Sequence, residues 1–389
     1  MTSETDYWPL TDEQRNLQKN TRDFSEKEIR PLVREIDKEA RFPKEIYDKM
    51  ADIGLFGITL PQKWKGVGKD TVSYALVMEE LSWGYASVSD QCGLVELVGT
   101  LLLELGTDEQ KERFLPPLLR AEKRCSFALT EPGAGSDLGS VITTAKKTPN
   151  GYVLNGSKTL IHNGPVCDFA LVLARSQQGS IGNRGLSIFI VESTLPGFSR
   201  GKKEIKLGQR GSQLSDLSFE DCPLSPDTLL GKEGDGFRNM MMVLEKGRIG
   251  IAALSVGIAR AALEESLDYA KTHEYLNQPM AKLQSVQWKL ADMAVDIFAA
   301  REMIMHAASL KDRRLPAAMH ASMAKLFASE MAVKHTSIAI QIFGHRGDLN
   351  DYPIERLYRD ARVTKIYEGT SEVQHIIIAR SLLEKGLMP

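Results

Sequence analysis

Two stretches of the chain carry chemistry-bearing residues at spacings that matter. The first is Phe127-Ala-Leu-Thr-Glu-Pro-Gly-Ala-Gly-Ser-Asp137. Apolar strand-type residues run into Pro132, Gly133 and Gly135. The glycines let the backbone approach another group closely, and Thr130 and Ser136 offer hydroxyls to it. A tight turn after a strand explains the same residues without any function. The pattern is neither a G-x-G-x-x-G opening a helix nor a Walker loop. The second stretch is Ile366-Tyr-Glu-Gly-Thr-Ser-Glu-Val-Gln374. Ser371 followed by Gln374 fits a capping box and predicts a helix opening there. Glu368 then stands just before a helix N-terminus, beside Gly369. It is a solvated carboxylate aided by the helix dipole. Alternatively it is a general base, which needs burial to raise its pKa against that dipole. A third stretch, Arg356-Leu-Tyr-Arg359-Asp-Ala-Arg362, sets basic residues at helical spacing, as a salt-bridged face does.

The elements that must position these residues come in three textures. Residues 11–60 read as helices, with Thr11 and Gln14 as a capping box and a second helix opening after Pro43. Helical character continues over 71–121. From Cys125 to about 225 the chain is short apolar runs broken by Gly, Pro, Asn and Asp, as strands and tight turns are. Examples are Tyr152–Leu154, Phe169–Leu173 and Leu186–Val191. Helical signatures return over 240–272, 281–310, 317–345 and 371–385. The expected fold is α+β. It has a helical N-terminal domain (1–123), a small antiparallel β domain (124–232) and a C-terminal helical domain (233–389) built as a four-helix bundle.

Composition narrows the function classes. The 389 residues hold 49 Lys+Arg against 51 Asp+Glu, a net charge of −2, so no net basic field attracts nucleic acid or an anionic membrane. That length suits two or three packing units. Mean hydropathy is −0.22 and no run of 18 uncharged apolar residues occurs, so no membrane span is expected. The N-terminal MTSETDYWPLTDEQ lacks the basic and apolar regions of a signal peptide. Cys92, Cys125, Cys167 and Cys222 form no C-x-x-C pair, which supports neither a metal site nor a disulfide framework. The expectation is a cytoplasmic protein with a large core.

Taken together and in this order, the segments resemble the acyl-CoA dehydrogenase family. The resemblance runs from about residue 10 to residue 385. It rests on FALTEPGAGSD, on LNGSK at 154–158 and on LEKGRIGIAA at 244–253. KLQSVQWKLADM at 282–293 and YPIERLYRDARVTKIYEGTSEVQ at 352–374 complete it. It implies noncovalent FAD and oxidation of an acyl-CoA thioester across its α,β bond. By match to YEGTSE, Glu368 is then the base for the α proton, while the β hydrogen leaves as hydride. Such a C–H is acidic enough only if the thioester oxygen is hydrogen-bonded as the enolate forms. Phe127, Leu129, Thr130 and Ser136 match the segment along the flavin, and Ser136 also neighbours the CoA arm. Arg248 matches a residue near the CoA and the base, and Gly369 a substrate contact. Gln284, Gln341, Thr370 and Glu372 match FAD contacts, some across a subunit boundary. The resemblance further implies a homotetramer and an electron-transferring flavoprotein as acceptor.

The sequence departs from the family pattern around the cofactor. Where the family usually has Ala-Trp-Ile-Thr-Asn, this chain has Thr159-Leu160-Ile161-His162-Asn163. The shielding Trp becomes Leu160, and the Thr hydroxyl near the flavin becomes the His162 imidazole, which can donate a proton or change charge. The family's phosphate-binding Arg becomes His273, which carries no permanent charge. Gln-x-x-Gly-Gly becomes Gln341-Ile-Phe-Gly344-His345, with Arg346 a substitute positive charge. Asp90 and Glu96 fall where the acyl channel is lined. They read as cap and surface residues or, if Asp90 turns inward, as a second base or hydrogen-bond partner for a ring or oxygenated substrate.

Three readings follow. One is a dehydrogenase of a short, cyclic or polar acyl-CoA. Another is an oxidase or oxygenase of the same fold, with molecular oxygen as acceptor. The last is a non-catalytic subunit that binds CoA thioesters or flavin.

Overall fold

The computed structural model describes residues 8–386; residues 1–7, half of the N-terminal segment read above, and residues 387–389 lie outside them. Thr11 accepts from the Gln14 N–H at 3.2 Å and the Gln14 side chain accepts from the Thr11 N–H at 3.0 Å. This capping box opens α1 (Asp12–Phe24). There follow α2 (Val33–Glu39), α3 (Lys44–Asp52), α4 (Thr71–Gly84), α5 (Ala86–Leu105) and α6 (Asp108–Leu119). Every residue of α4 is buried, so it has no solvent face and reads as a core helix. α5 has the length and mean hydropathy, 1.2, of a membrane-spanning helix, yet its most apolar stretch is 83% buried inside the fold.

The middle of the chain forms β1 (Cys125–Ala128), β2 (Thr144–Thr148), β3 (Gly151–His162) and β4 (Phe169–Arg175). It continues with β5 (Leu186–Glu192), β6 (Phe198–Arg200), β7 (Leu214–Leu224) and β8 (Leu229–Leu230). The strand order is β6-β7-β3-β2-β4-β5-β8, with β1 added on β4. Most pairings are antiparallel, as expected. β1 and one residue of β2 meet β4 in parallel. Parallel neighbours need a crossover, and here the β2–β3 hairpin lies within it.

After β8 the chain enters α7 (Gly236–Thr272) and a short hairpin, β9 (Glu274–Tyr275) with β10 (Gln278–Pro279). The helices α8 (Gln284–Asp312), α9 (Ala318–Phe343), α10 (Ile354–Arg362) and α11 (Ser371–Lys385) complete it. α7, α8 and α9 pack on one another, and α10 and α11 pack on α9. One hydrophobic core runs through both helical units and onto one face of the sheet; the other face closes over a smaller core of its own. Across the helical units, the buried Glu79 binds Arg260 and Arg301, and Glu80 accepts from Arg260 at 2.8 Å. Three layers therefore converge on one central region, and the sequence motifs meet there.

Candidate active site

A cavity of about 810 Å³ opens where α5, α7, the β1 turn, the end of β3 and the loop before α11 meet. Each wall has a local cause. The β1 turn is pinned by a buried ion pair, Lys158 Nζ to Glu131 Oε1 at 2.7 Å. Glu131 also accepts from the N–H groups of Ile142 and Thr143 at 2.8 and 3.0 Å. So fixed, the turn presents Phe127, Leu129, Thr130, Gly135 and Ser136 to the cavity. A Cβ on Gly133 or Gly135 would meet nothing within 4 Å, so open space faces the backbone here.

β3 loses register with β7 between Lys158 and Ile161. Leu160, within that bulge, adopts a left-handed φ of 55°. The bulge splits three successive side chains: Leu160 stands 59% exposed, Ile161 is buried at 2%, and His162 lines the cavity. Expected beside the cofactor, Ile161 instead turns its side chain into the β core.

α5 begins at Ala86 with Tyr85 as an N-cap that makes no side-chain bond, so Asp90 is no cap. Asp90 turns inward and accepts from Ser212 Oγ at 2.9 Å and meets His162 Nδ1 at 3.2 Å. Glu96 is not a surface residue either; it is fully buried and binds Lys246 at 2.9 Å, away from the cavity lining. Burial holds the His162 pKa below the ordinary imidazole range, against the pull of Asp90. The ring is therefore neutral near pH 7, and a carboxylate partner draws its proton to Nδ1. Nε2, buried and without a partner, then offers a lone pair rather than a proton. Lys206, on the loop before β7, also faces the cavity, its ammonium weakened by burial to a pKa of about 8.

Glu368 sits in the loop between α10 and α11 with φ 55°, followed by Gly369 with φ 93°. α11 opens at Ser371 as expected, but its cap is Thr370, which accepts from the Val373 N–H at 3.3 Å. Gln374 does not close a capping box; it donates back to Gly369 O at 2.8 Å. The Glu368 side chain enters the cavity, and its Oε2 is enclosed with no hydrogen-bond partner. Burial, and secondarily Asp90, push its pKa up to about 7, while Arg248 and Lys325 oppose them. Gly247 on α7 makes the space: a Cβ there would lie 2.5 Å from Glu368 Oε2. Arg248, 6% exposed, lines the cavity with its Nε unpartnered.

The structure thus brings together Asp90, Phe127, Leu129, Thr130, Ser136, Leu160, His162, Arg248, Glu368 and Gly369. The other residues expected at the cofactor lie off this cavity. His273 caps α7, stacked on Tyr269 at 3.8 Å, its Nδ1 3.1 Å from Tyr269 O. Gln284 opens α8 on the surface, and Gln341, Gly344 and His345 are exposed around the end of α9. Glu372 is exposed in the first turn of α11. The Arg359 stretch is the salt-bridged face expected: Arg359 binds Asp37 and Glu355 at 2.7 and 2.6 Å. Sequence reasoning missed Lys206, Ser212 and Lys325. A lysine among the buried positions of α9 was a readable signal for Lys325; the other two had none.

Family models match the whole layout. The acyl-CoA dehydrogenase N-terminal domain covers residues 11–122, the middle domain 126–222 and the C-terminal domain 234–383. The chain is 45% identical over 380 residues to a 3-(aryl)acrylate reductase of Clostridium sporogenes, covering 96% of this chain and 100% of that one. It is 42% identical to the caffeyl-CoA reductase-Etf complex subunit CarC of Acetobacterium woodii, covering 97% and 100%. Butyryl-CoA dehydrogenase from Megasphaera elsdenii superposes with a TM-score of 0.94 at 41% identity, covering 97% of this chain and 99% of that one.

Proposed function

Because this chain belongs to the acyl-CoA dehydrogenase family of oxidoreductases, we propose that it interconverts an acyl-CoA thioester and its α,β-unsaturated partner, with Glu368 as the base. One observation carries this reading. The Glu368 carboxylate projects into the cavity, its Oε2 enclosed without a partner, with a pKa of about 7. A base matched to neutral pH transfers protons best. Exposed carboxylates titrate far lower and make weaker bases.

The family is FAD-dependent, and the residues present fit that group. The Thr130 and Ser136 hydroxyls, the open backbone at Gly133 and Gly135 and the orphaned His162 Nε2 are an unused donor and acceptor set beside apolar Phe127 and Leu129. These residues would hold the flavin ring. His273, Gln284, Gln341, Gly344, His345, Thr370 and Glu372 are left for its nucleotide end, reached in an assembled homotetramer. When bound, FAD would supply the acceptor for the hydride that leaves the β carbon. Glu368 takes the α proton, and on the reverse path returns it. Arg248 presents positive charge close to the base.

The acyl group is short, cyclic or polar. Asp90, Ser212, His162 and Lys206 make one side of the cavity polar, which an unfunctionalised long chain would leave unpaired. Asp90 is then a hydrogen-bond partner or second base for that acyl group. The acceptor is an electron-transferring flavoprotein, as the name of the Acetobacterium woodii relative suggests for that protein. The exposed Leu160, standing where the family's shielding Trp is expected, favours molecular oxygen as the second reading.

The test is anaerobic mixing of the purified holoenzyme with butyryl-CoA and with aryl- and ring-bearing acyl-CoA thioesters. Wild-type flavin bleaches with at least one of them. The Glu368→Gln variant keeps its yellow colour and does not bleach. Bleaching retained in the variant removes Glu368 from the reaction and leaves Asp90 as the base.

A further inference from the structure

The loop that carries Glu368 is strained. Two successive residues, Glu368 and Gly369, hold φ of 55° and 93°. Glutamate has no intrinsic reason to stay left-handed, where its Cβ crowds the backbone. Something must hold it, and α9 supplies the grip at three points.

Before the loop, Lys365 Nζ binds Glu330 Oε2 at 2.6 Å. After it, Ser371 Oγ donates to Glu330 Oε1 at 2.7 Å. Between them, Lys325 Nζ donates to Gly369 O at 2.8 Å. Lys325 is fully buried among alanines and serines on α9. A buried ammonium without a carboxylate on it is costly, so its position calls for a reason. From the α11 side, Gln374, also fully buried, donates to Gly369 O at 2.8 Å and to Glu368 O at 3.4 Å. In a trans peptide the N–H points opposite the preceding carbonyl. Holding Glu368 O on Gln374 therefore turns the Gly369 N–H to the other side, away from α11.

We propose that Lys325 and Gln374 are positioning residues for the base: together they clamp the Gly369 carbonyl and so fix the Glu368 carboxylate and the adjoining peptide at the cavity. The inference rests on Glu368 being the base. Neither side chain lines the cavity, so neither touches substrate.

The two arms differ in charge, which separates them. Glu368 is faced by Asp90 from α5, Arg248 from α7 and Lys325 from α9. Lys325 is faced by Glu368, Arg248, Glu330 on its own helix and Glu372 from α11. Removing Lys325 takes away a hydrogen bond and one of the two positive charges opposing protonation of Glu368. Removing Gln374 takes away hydrogen bonds only.

The experiment compares the holoenzyme with Lys325→Met, Lys325→Arg and Gln374→Leu. Flavin absorbance and thermal melting establish that each is folded and loaded. The reading is exchange of the α protons of butyryl-CoA with D2O on dithionite-reduced enzyme, followed by mass spectrometry across pH. Reduced flavin cannot take the hydride, so the proton transfer is isolated.

Lys325→Met is expected to slow exchange about a hundred-fold, the scale of a misplacement near 1 Å. Its pH profile shifts to higher pH, because the lost cation had favoured the carboxylate. Lys325→Arg restores the profile. Gln374→Leu slows exchange without moving the profile. A folded Lys325→Met with wild-type rate and profile overturns the proposal. So does a loss in melting temperature with exchange unchanged. Should Lys325→Met fail to fold, Gln374→Leu decides: wild-type exchange in that variant refutes the clamp. Exchange unaffected by Glu368→Gln is a different failure, since it strikes the base assignment itself and the clamp with it.

Discussion

At the scale of single residues, the site depends on where burial places charge. Glu368 gains a proton affinity near neutrality because its carboxylate leaves water, and Arg248 and Lys325 offset only part of that loss. Its folded pKa of about 7 lies above the ordinary 4.5, so the fold favours the protonated form. That contribution is complete below pH 4.5 and is lost as pH rises through about 7. Glu368→Gln should therefore raise the melting temperature relative to wild type in mildly alkaline buffer, and much less in acid. A melting curve at each pH checks this; an equal shift at both would show that Glu368 is not buried as described. His162 answers a separate question. Its Nδ1 is committed to Asp90, so only Nε2 remains for the flavin. If oxygen is the acceptor, His162→Thr slows reoxidation of the photoreduced enzyme in aerated buffer. Unchanged reoxidation makes His162 a bystander. The resemblance to the family implied that His162 stands where a hydroxyl residue is usual. It did not show the Asp90 contact, because the two lie 72 positions apart and only the fold joins them.

At the scale of elements, the bulge in β3 and one glycine on α7 do most of the shaping. Without the register shift near Leu160, period-two alternation would carry His162 to the wrong face. Gly247 brings the α7 backbone close against the base, since a Cβ there falls 2.5 Å from Glu368 Oε2. Gly247→Ala should leave helix content and flavin binding intact, because alanine favours a helix more than glycine does. Substrate-dependent bleaching should fall by at least about ten-fold as the carboxylate is displaced, about 1.4 kcal/mol of barrier. Wild-type bleaching in this variant would mean that the carboxylate has another resting place. Helices and strands were largely legible from periodicity, because burial on one face leaves a repeat in the sequence. α10 showed as a run of basic residues that proved to be a salt-bridged face. The cap of α11 was misread by one residue, since Thr370 and Ser371 are both competent caps and the local sequence does not choose between them.

At the scale of the molecule, one core joins the two helical units and leaves the sheet bridging them. The three textures of the sequence gave this layout; the motif order gave the family. What stayed illegible is what distant elements assemble, such as the polar wall from α5, β3 and the loop before β7. The outer face of the bundle carries its own statement. Trp288 and Val295, seven positions apart on α8, stand 65% and 64% exposed, and Tyr275 and Leu276 of the neighbouring hairpin are 58% and 73% exposed. These exposed apolar side chains are the surface on which the proposed homotetramer is tested. The residues that the resemblance assigns to the cofactor but that lie off the cavity, Gln284 and Gln341 among them, would then meet a neighbouring subunit. The protein should run in light scattering as a multiple of its 43.2 kDa chain, and Trp288→Glu should lower both the mass and the flavin content. A monomer fully loaded with flavin would contradict this.

The most direct measurement of the central claim is rapid-mixing flavin bleaching by an acyl-CoA substrate, anaerobically, across pH in wild type and Glu368→Gln. The wild-type rate should rise through about pH 7 as Glu368 loses its proton, and the variant should stay yellow at every pH. A flat wild-type profile, or a variant that bleaches as wild type does, would contradict Glu368 as the base.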